Sequence, residues 1–116
     1  MNNNIFSNKI AYLTFDDGPS IYTDEFINVL NQYRIKGTFF VIGINGEMFP
    51  DTIKKIVNDG HQIGNHLYSH DYTIMYEDAG NFINELELTN EMIYYLTNKQ
   101  NNLFRFPGGS LLVWFH

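Results

Sequence analysis

Thr14-Phe15-Asp16-Asp17-Gly18-Pro19-Ser20 is the stretch on which the reading of this chain turns. Ile10, Ala11, Tyr12 and Leu13 precede it and read as a buried strand. Gly18-Pro19 stops that strand. Two adjacent carboxylates therefore stand where a strand ends and a loop begins. On a regular strand neighbouring side chains point to opposite faces. At a strand end both can turn into one pocket. Two anions that close repel unless a cation lies between them or one takes a proton. A metal accounts for the pair economically; a plain Asp-Asp-Gly-Pro turn is the other reading.

Downstream the chain alternates helix and strand. Thr23 is placed to cap a first helix, with Asp24 and Glu25 favourable in its first turn. Phe26, Ile27, Leu30 and Tyr33 form its expected buried stripe. Thr38-Phe39-Phe40-Val41-Ile42 reads as a strand buried on both faces. Gly43 to Gly46 reads as a loop. A second helix runs from Pro50, a good first helical residue, to Asp59, with Ile53, Ile56 and Val57 inward. Residues 61–64 are a short strand and 65–78 a long loop. A third helix covers 80–98, where Phe82, Leu86, Thr89, Ile93 and Leu96 share one face. Leu103-Phe104-Arg105-Phe106 is a fourth strand, stopped by Pro107-Gly108-Gly109.

This order predicts an α/β fold with right-handed crossovers. Four units are too few to close a barrel of about eight strands. The expected architecture is an incomplete (β/α) barrel, about four parallel strands with alternating helices. Phe39, Val41 and Phe104 are expected on its inner face. Its unpaired sheet edges invite self-association.

Composition narrows the function. A chain of 116 residues makes one domain, and 44% apolar content is enough for a core. A net charge of −6 argues against a nucleic-acid partner held by its phosphates. The absence of cysteine excludes disulfides and thiolate metal sites. No apolar run reaches the length of a membrane span. The first nine residues contain no signal core, so the protein is cytosolic or an export segment lies outside this chain.

In folds of this kind chemistry gathers at the C-terminal strand ends. Asp16 and Asp17 follow the first strand, His66 and His70 the third, and Arg105 ends the fourth. A helical turn would set His66 and His70 on one side. Catalytic zinc commonly takes three protein ligands and keeps one position open. Two histidines and one aspartate would fill such a site; two surface histidines are the plainer reading. His61 is expected to be structural or exposed, and His116 a frayed end. Arg105, between Phe104 and Phe106, suits a carboxylate partner, bidentate if geometry allows, with Asp16 the candidate; a solvated arginine is the alternative. Gly108-Gly109 can offer amides to an oxyanion or form a simple turn.

Together these stretches resemble the polysaccharide deacetylases, the family 4 carbohydrate esterases. Thr14-Phe15-Asp16-Asp17-Gly18 matches the family's first motif, with Pro19-Ser20 its usual extension. His66 to His70 matches the second, normally His-Ser/Thr-x-x-His. Arg105-Phe106-Pro107-Gly108-Gly109-Ser110 resembles the third. The likeness runs from Lys9 to Ser110. It implies that Asp17, His66 and His70 hold a divalent metal, usually zinc. It implies that Asp16 is the general base, that Arg105 orients Asp16, and that the Gly108 amide steadies the oxyanion. The reaction implied is hydrolysis of N-acetyl groups from N-acetylglucosamine units of a polysaccharide such as peptidoglycan or chitin. A protein following the family would act at the cell surface or be secreted.

Two departures stand out. Leu67 replaces a Ser or Thr expected to brace the histidine turn by a hydrogen bond. The family continues past the third motif into an Asp-and-Trp motif and a histidine acting as general acid. Trp114 and His116 come too soon after Arg105 to serve for these. Residues 1–116 thus read as one deacetylase-like domain truncated after the third motif. Two rival readings accompany the enzyme: an inactive metal- or glycan-binding fragment, and an amide hydrolase for a small non-carbohydrate amide.

Overall fold

Strand pairing follows the β-rich runs of the sequence. The structure, a computed structural model, describes residues 13–108 and the backbone of 112–114. Strand β1 (Leu13–Gly18) pairs in parallel with β2 (Gly37–Val41), β2 with β3 (Gln62–Asn65), and β3 with β4 (Leu103–Arg105). These are the four parallel strands expected. A fifth, β5 (Leu112–Trp114), lies antiparallel beside β4, in a stretch the sequence presents as an apolar tail. The sheet order is β1-β2-β3-β4-β5. Ile10, Ala11 and Tyr12, read as the start of β1, lie outside the described residues, as do Gly109, Ser110 and His116.

Helices α1 (Thr23–Gln32), α2 (Gly43–Met48), α3 (Pro50–Asn58), α4 (Tyr72–Met75) and α5 (Ala79–Thr97) fill the crossovers. Two differ from the sequence reading. The Gly43–Gly46 stretch opens α2 rather than forming a loop, and α4 interrupts the long loop. Thr23 is the first residue of α1, not its cap. Its Oγ1 accepts the Ser20 amide at 2.8 Å, holding the strand-to-helix turn. Only part of the expected α1 stripe is buried. Ile27 and Leu30 enter the core, while Phe26 and Tyr33 stay exposed. The Phe26 ring lies 6.0 Å from that of Phe15 on β1.

Pleat parity decides the two faces of the sheet. Phe15, Phe39 and Ile63 are register partners, and Val41 pairs with Asn65, which pairs with Phe104. This row faces the helices. Phe39 and Val41 join Ile27, Leu30, Ile53, Ile56, Met92 and Ile93 in one cluster. Phe104 joins Leu67 and Met75 in another, beneath Phe82 and Leu86 of α5. Phe39, Val41 and Phe104 are therefore buried under helices and do not line the opposite face, as had been expected. That face carries Asp16, Phe40 and Gly64 in register. The run Thr-Phe-Phe-Val hides the parity, since both of its faces are apolar in sequence.

His61 is buried and structural. It stands at the start of β3 and accepts the Gly37 amide on Nδ1 at 3.0 Å. Its Nε2 faces Asn31 Oδ1 at 2.9 Å and must carry the proton. Asn31 in turn donates to Asp59 Oδ2 at 2.8 Å. The hydrogen bond from Lys55 and that from Asn31 hold the Asp59 carboxyl below its usual range. Burial, aided by the positive charge of Lys36, lowers the His61 pKa from 6.5. The folded state then binds fewer protons than the unfolded chain below about pH 6.5. Stability from this group is fully present above that pH and is lost as pH falls toward the depressed folded value. His61→Gln should flatten this slope. Urea midpoints for the two chains at pH 7.5 and pH 5.5 check it: equal acid losses would refute the assignment.

Candidate metal centre

The ends of β1, β3 and β4 bring the three motif stretches together. At the end of β1 the ladder with β2 shifts register between Asp16 and Gly18, and Asp17 adopts φ 71°. This bulge releases Asp17 from strict alternation. Asp16 stays on the face of Phe40 and Gly64, while Asp17 turns outward at the rim. Asn45 Nδ2 of α2 fixes the turn by donating to the Asp17 carbonyl at 2.9 Å.

Asp17 Oδ1 lies 3.2 Å from His66 Nε2 and 3.2 Å from His70 Nε2. One ligand atom from each of the three residues falls within 4.8 Å of the others. His66 is buried, His70 partly so, and Asp17 open to solvent. His66 Nδ1 lies 2.9 Å from the Arg105 carbonyl oxygen. A carbonyl can only accept, so Nδ1 carries the proton and Nε2 presents its lone pair to Asp17. With a neutral ring these are two acceptors facing each other at 3.2 Å, an arrangement that either a proton or a metal cation between them relieves. One carboxylate and two imidazoles form a donor set suited to zinc, and the carbonyl behind His66 is the partner that orients such a ligand.

The histidine stretch is not a helical turn. Leu67 has φ 68° and His70 φ 58°, both in the left-handed region. Non-glycine residues reach that region at a cost of about 1–2 kcal/mol each, so neighbouring groups must hold them. Asn65 Oδ1 accepts the Leu67 amide at 2.8 Å. Asn65 Nδ2 donates to Leu86 O and Asn90 Oδ1, each at 2.8 Å. Glu85, buried on α5, accepts Tyr68 N at 3.1 Å, Ser69 N at 2.8 Å and Ser69 Oγ at 3.0 Å on one carboxylate oxygen. Leu67 packs in the core. The bracing expected from a Ser or Thr at 67 thus comes from Asn65 and Glu85, two residues that motif reading passed over. A carboxylate on the apolar face of α5, between Phe82 and Thr89, was the available signal.

Arg105 meets Asp16. Its Nη1 donates to Asp16 Oδ1 at 2.9 Å and to Thr14 Oγ1 at 3.1 Å. The contact uses one nitrogen and one carboxylate oxygen rather than the bidentate pair expected. The guanidinium lies 4.3 Å above the centre of the Phe40 ring. That ring in turn covers Gly64, where a Cβ would come within 2.6 Å of it. Among the described residues Asp16 Oδ2 has no hydrogen-bond partner. Gly108 sits at φ +76° beyond β4, and its amide has no partner among the described residues.

The strand ends of this α/β sheet gather an Asp-His-His cluster that could hold a metal ion, and an arginine-tethered carboxylate beside it. The polysaccharide deacetylase family profile matches residues 3–113, and the chain belongs to that family. It is 42% identical over 103 residues to a peptidoglycan-N-acetylglucosamine deacetylase of Bacillus cereus, covering 89% of this chain and 37% of that protein. It is 42% identical over 101 residues to the peptidoglycan-N-acetylmuramic acid deacetylase PdaA of Bacillus subtilis, covering 85% of this chain and 38% of that one. The crystal structure of the polysaccharide deacetylase Bc1974 from Bacillus cereus superposes with a TM-score of 0.83 at 41% identity, over 90% of this chain and 50% of that one. The chain therefore spans well under two thirds of the length of these relatives.

Proposed function

We propose that this chain carries the metal ligands and the base of a polysaccharide deacetylase. Its substrate would be an N-acetylglucosamine polymer of the cell wall, peptidoglycan or chitin-like, and its place of action the cell surface or beyond. The observation that supports this most is the Nε2 lone pair of His66 aimed at the Asp17 carboxylate beside His70. Asp17, His66 and His70 would hold a divalent metal, zinc by donor type. Such a metal supplies Lewis acidity toward water and an amide carbonyl.

The remaining residues have distinct tasks. Arg105 fixes Asp16 through Oδ1 and leaves Oδ2 to take a proton from the attacking water. The water oxygen bonds to the acetyl carbon, the C–N bond breaks, and acetate and a free amine result. The Gly108 amide donates to the carbonyl oxygen as charge develops there. The leaving nitrogen takes its proton from solvent, and Asp16 returns to solvent the one it took, so that the step balances.

The division between the two aspartates is testable. Asp16→Asn should keep zinc and lower acetate release from acetylated chito-oligomers by about 10²–10⁴-fold, the usual contribution of a positioned base. Asp17→Asn should weaken zinc itself. Metal analysis alongside acetate assay decides: if both substitutions release zinc equally, the roles are wrongly divided.

A further inference from the structure

Between His70 and Gly108 stands a side chain to which neither the metal cluster nor the arginine tether gives a task. Tyr72 opens α4, whose start is capped by Asp71 accepting the Thr73 amide at 3.0 Å. The Tyr72 ring lies 5.2 Å from the His70 ring, with the planes at 59°. Its hydroxyl lies against Gly108: a Cβ at 108 would come within 2.9 Å of that oxygen and 3.3 Å of two ring carbons. One ring thus spans from a metal-ligand histidine to the glycine of the oxyanion position. Tyr72 is 46% exposed, and its hydroxyl has no hydrogen-bond partner among the described residues.

This ring is held in place rather than loose. Tyr76 runs parallel to it within 9°, with centroids 6.1 Å apart. The Tyr76 hydroxyl donates to the Pro107 carbonyl at 3.3 Å, tying the pair to the loop of Gly108. Tyr76 also leans on Phe82, which packs edge-on against buried Phe104.

We propose that Tyr72 is a substrate-positioning residue, on whose exposed ring the pyranose bearing the acetamido group packs. A pyranose has a face of polarised C–H bonds and a rim of hydroxyls. The negative face of an aromatic ring attracts the first, and a phenol oxygen pairs with the second. A sugar ring lying on Tyr72 would carry its acetamido group toward His70 and Gly108, where the cluster and the free amide lie. The inference rests on the deacetylase reading and adds the residue that orients the sugar.

Titration of the 116-residue chain with tetra-N-acetylchitotetraose tests it, read by saturation transfer from aromatic protons to sugar C–H protons. The wild-type chain should bind and show transfer. Tyr72→Ala should weaken binding at least about 10-fold, the size of one aromatic contact, and abolish the transfer. Tyr72→Trp should restore both. Tyr72→Phe should keep the transfer and weaken binding about 3–10-fold, the worth of one hydrogen bond. Tyr95→Ala, at the far end of α5 and 87% exposed, should change nothing. Circular dichroism checks the fold of each variant, and the wild-type transfer needs no variant at all. A wild-type chain that does not bind the tetrasaccharide, or binds it without aromatic transfer, overturns the proposal; so does a folded Tyr72→Ala chain that binds within twofold of wild type. A chain that holds zinc and releases acetate, with affinity indifferent to Tyr72, removes the platform and leaves the deacetylase reading. Binding through Tyr72 by a chain that holds no metal does the reverse.

Discussion

His66→Ala should lower the zinc affinity of this chain by more than about 100-fold. Loss of a residue that merely orients a ligand already costs roughly 10–100-fold, and His66 is placed as a ligand itself. It is also the buried member of the three, with its proton fixed on Nδ1 by the Arg105 carbonyl. That arrangement leaves no freedom for another group to take its place. His70→Ala should cost less, since His70 is partly open and water can fill its position. Competition against a chromophoric chelator measures both. Zinc binding that tolerates His66→Ala would remove the metal centre from the description of this protein.

Glu85→Ala is expected to act on stability and metal together. Two backbone amides and a hydroxyl, from Tyr68 and Ser69, converge on one oxygen of this buried carboxylate. Hydrogen bonds to a charged group contribute about 1.5–3 kcal/mol each, and the part-buried donors left without a partner add a further cost. These terms do not add fully, and a loss of about 2–5 kcal/mol is the expected total. The same amides shape the loop that delivers His70, so zinc affinity should fall by about 10–100-fold as well. Glu85→Gln keeps an acceptor oxygen and should lose much less of both. Urea unfolding with and without zinc reads the two effects. If Glu85→Ala unfolds at the wild-type midpoint, the clamp is not holding the loop.

Most of the site was legible because its residues lie at strand ends, and strand ends can be found from apolar runs broken by Gly and Pro. Asp16, Asp17, His66, His70 and Arg105 were all reached that way, and the fold class followed from strand-helix alternation. What escaped has physical causes. The histidine stretch was read as loop, but the spacing of four suggested that a helical turn sets the two rings on one side; Leu67 and His70 instead occupy a backbone region that non-glycine residues seldom adopt. Glu85 escaped because its partners lie 16 and 17 residues away in sequence. Which of Phe39 and Phe40 faces the helices could not be told from two identical neighbours. Gly43 to Gly46 was read as a loop because glycine disfavours helix, yet Gly43 lies where a Cβ would meet Thr89 and Tyr68 at 2.5 Å. Close packing, not propensity, sets that residue.

The shelf formed by Phe40 over Gly64 has a meaning for how such a sequence can drift. Neither residue belongs to the three motif stretches, yet the arginine that holds Asp16 rests on the first, and the first fits only because the second has no side chain. Positions 40 and 64 are therefore free to vary only as a pair. A larger residue at 64 must be met by a smaller one at 40, and the smaller one would leave the guanidinium without its floor. Transplanting the motif residues onto another sheet would reproduce the letters of this site but not its geometry, unless the aromatic and the glycine beneath them travelled too.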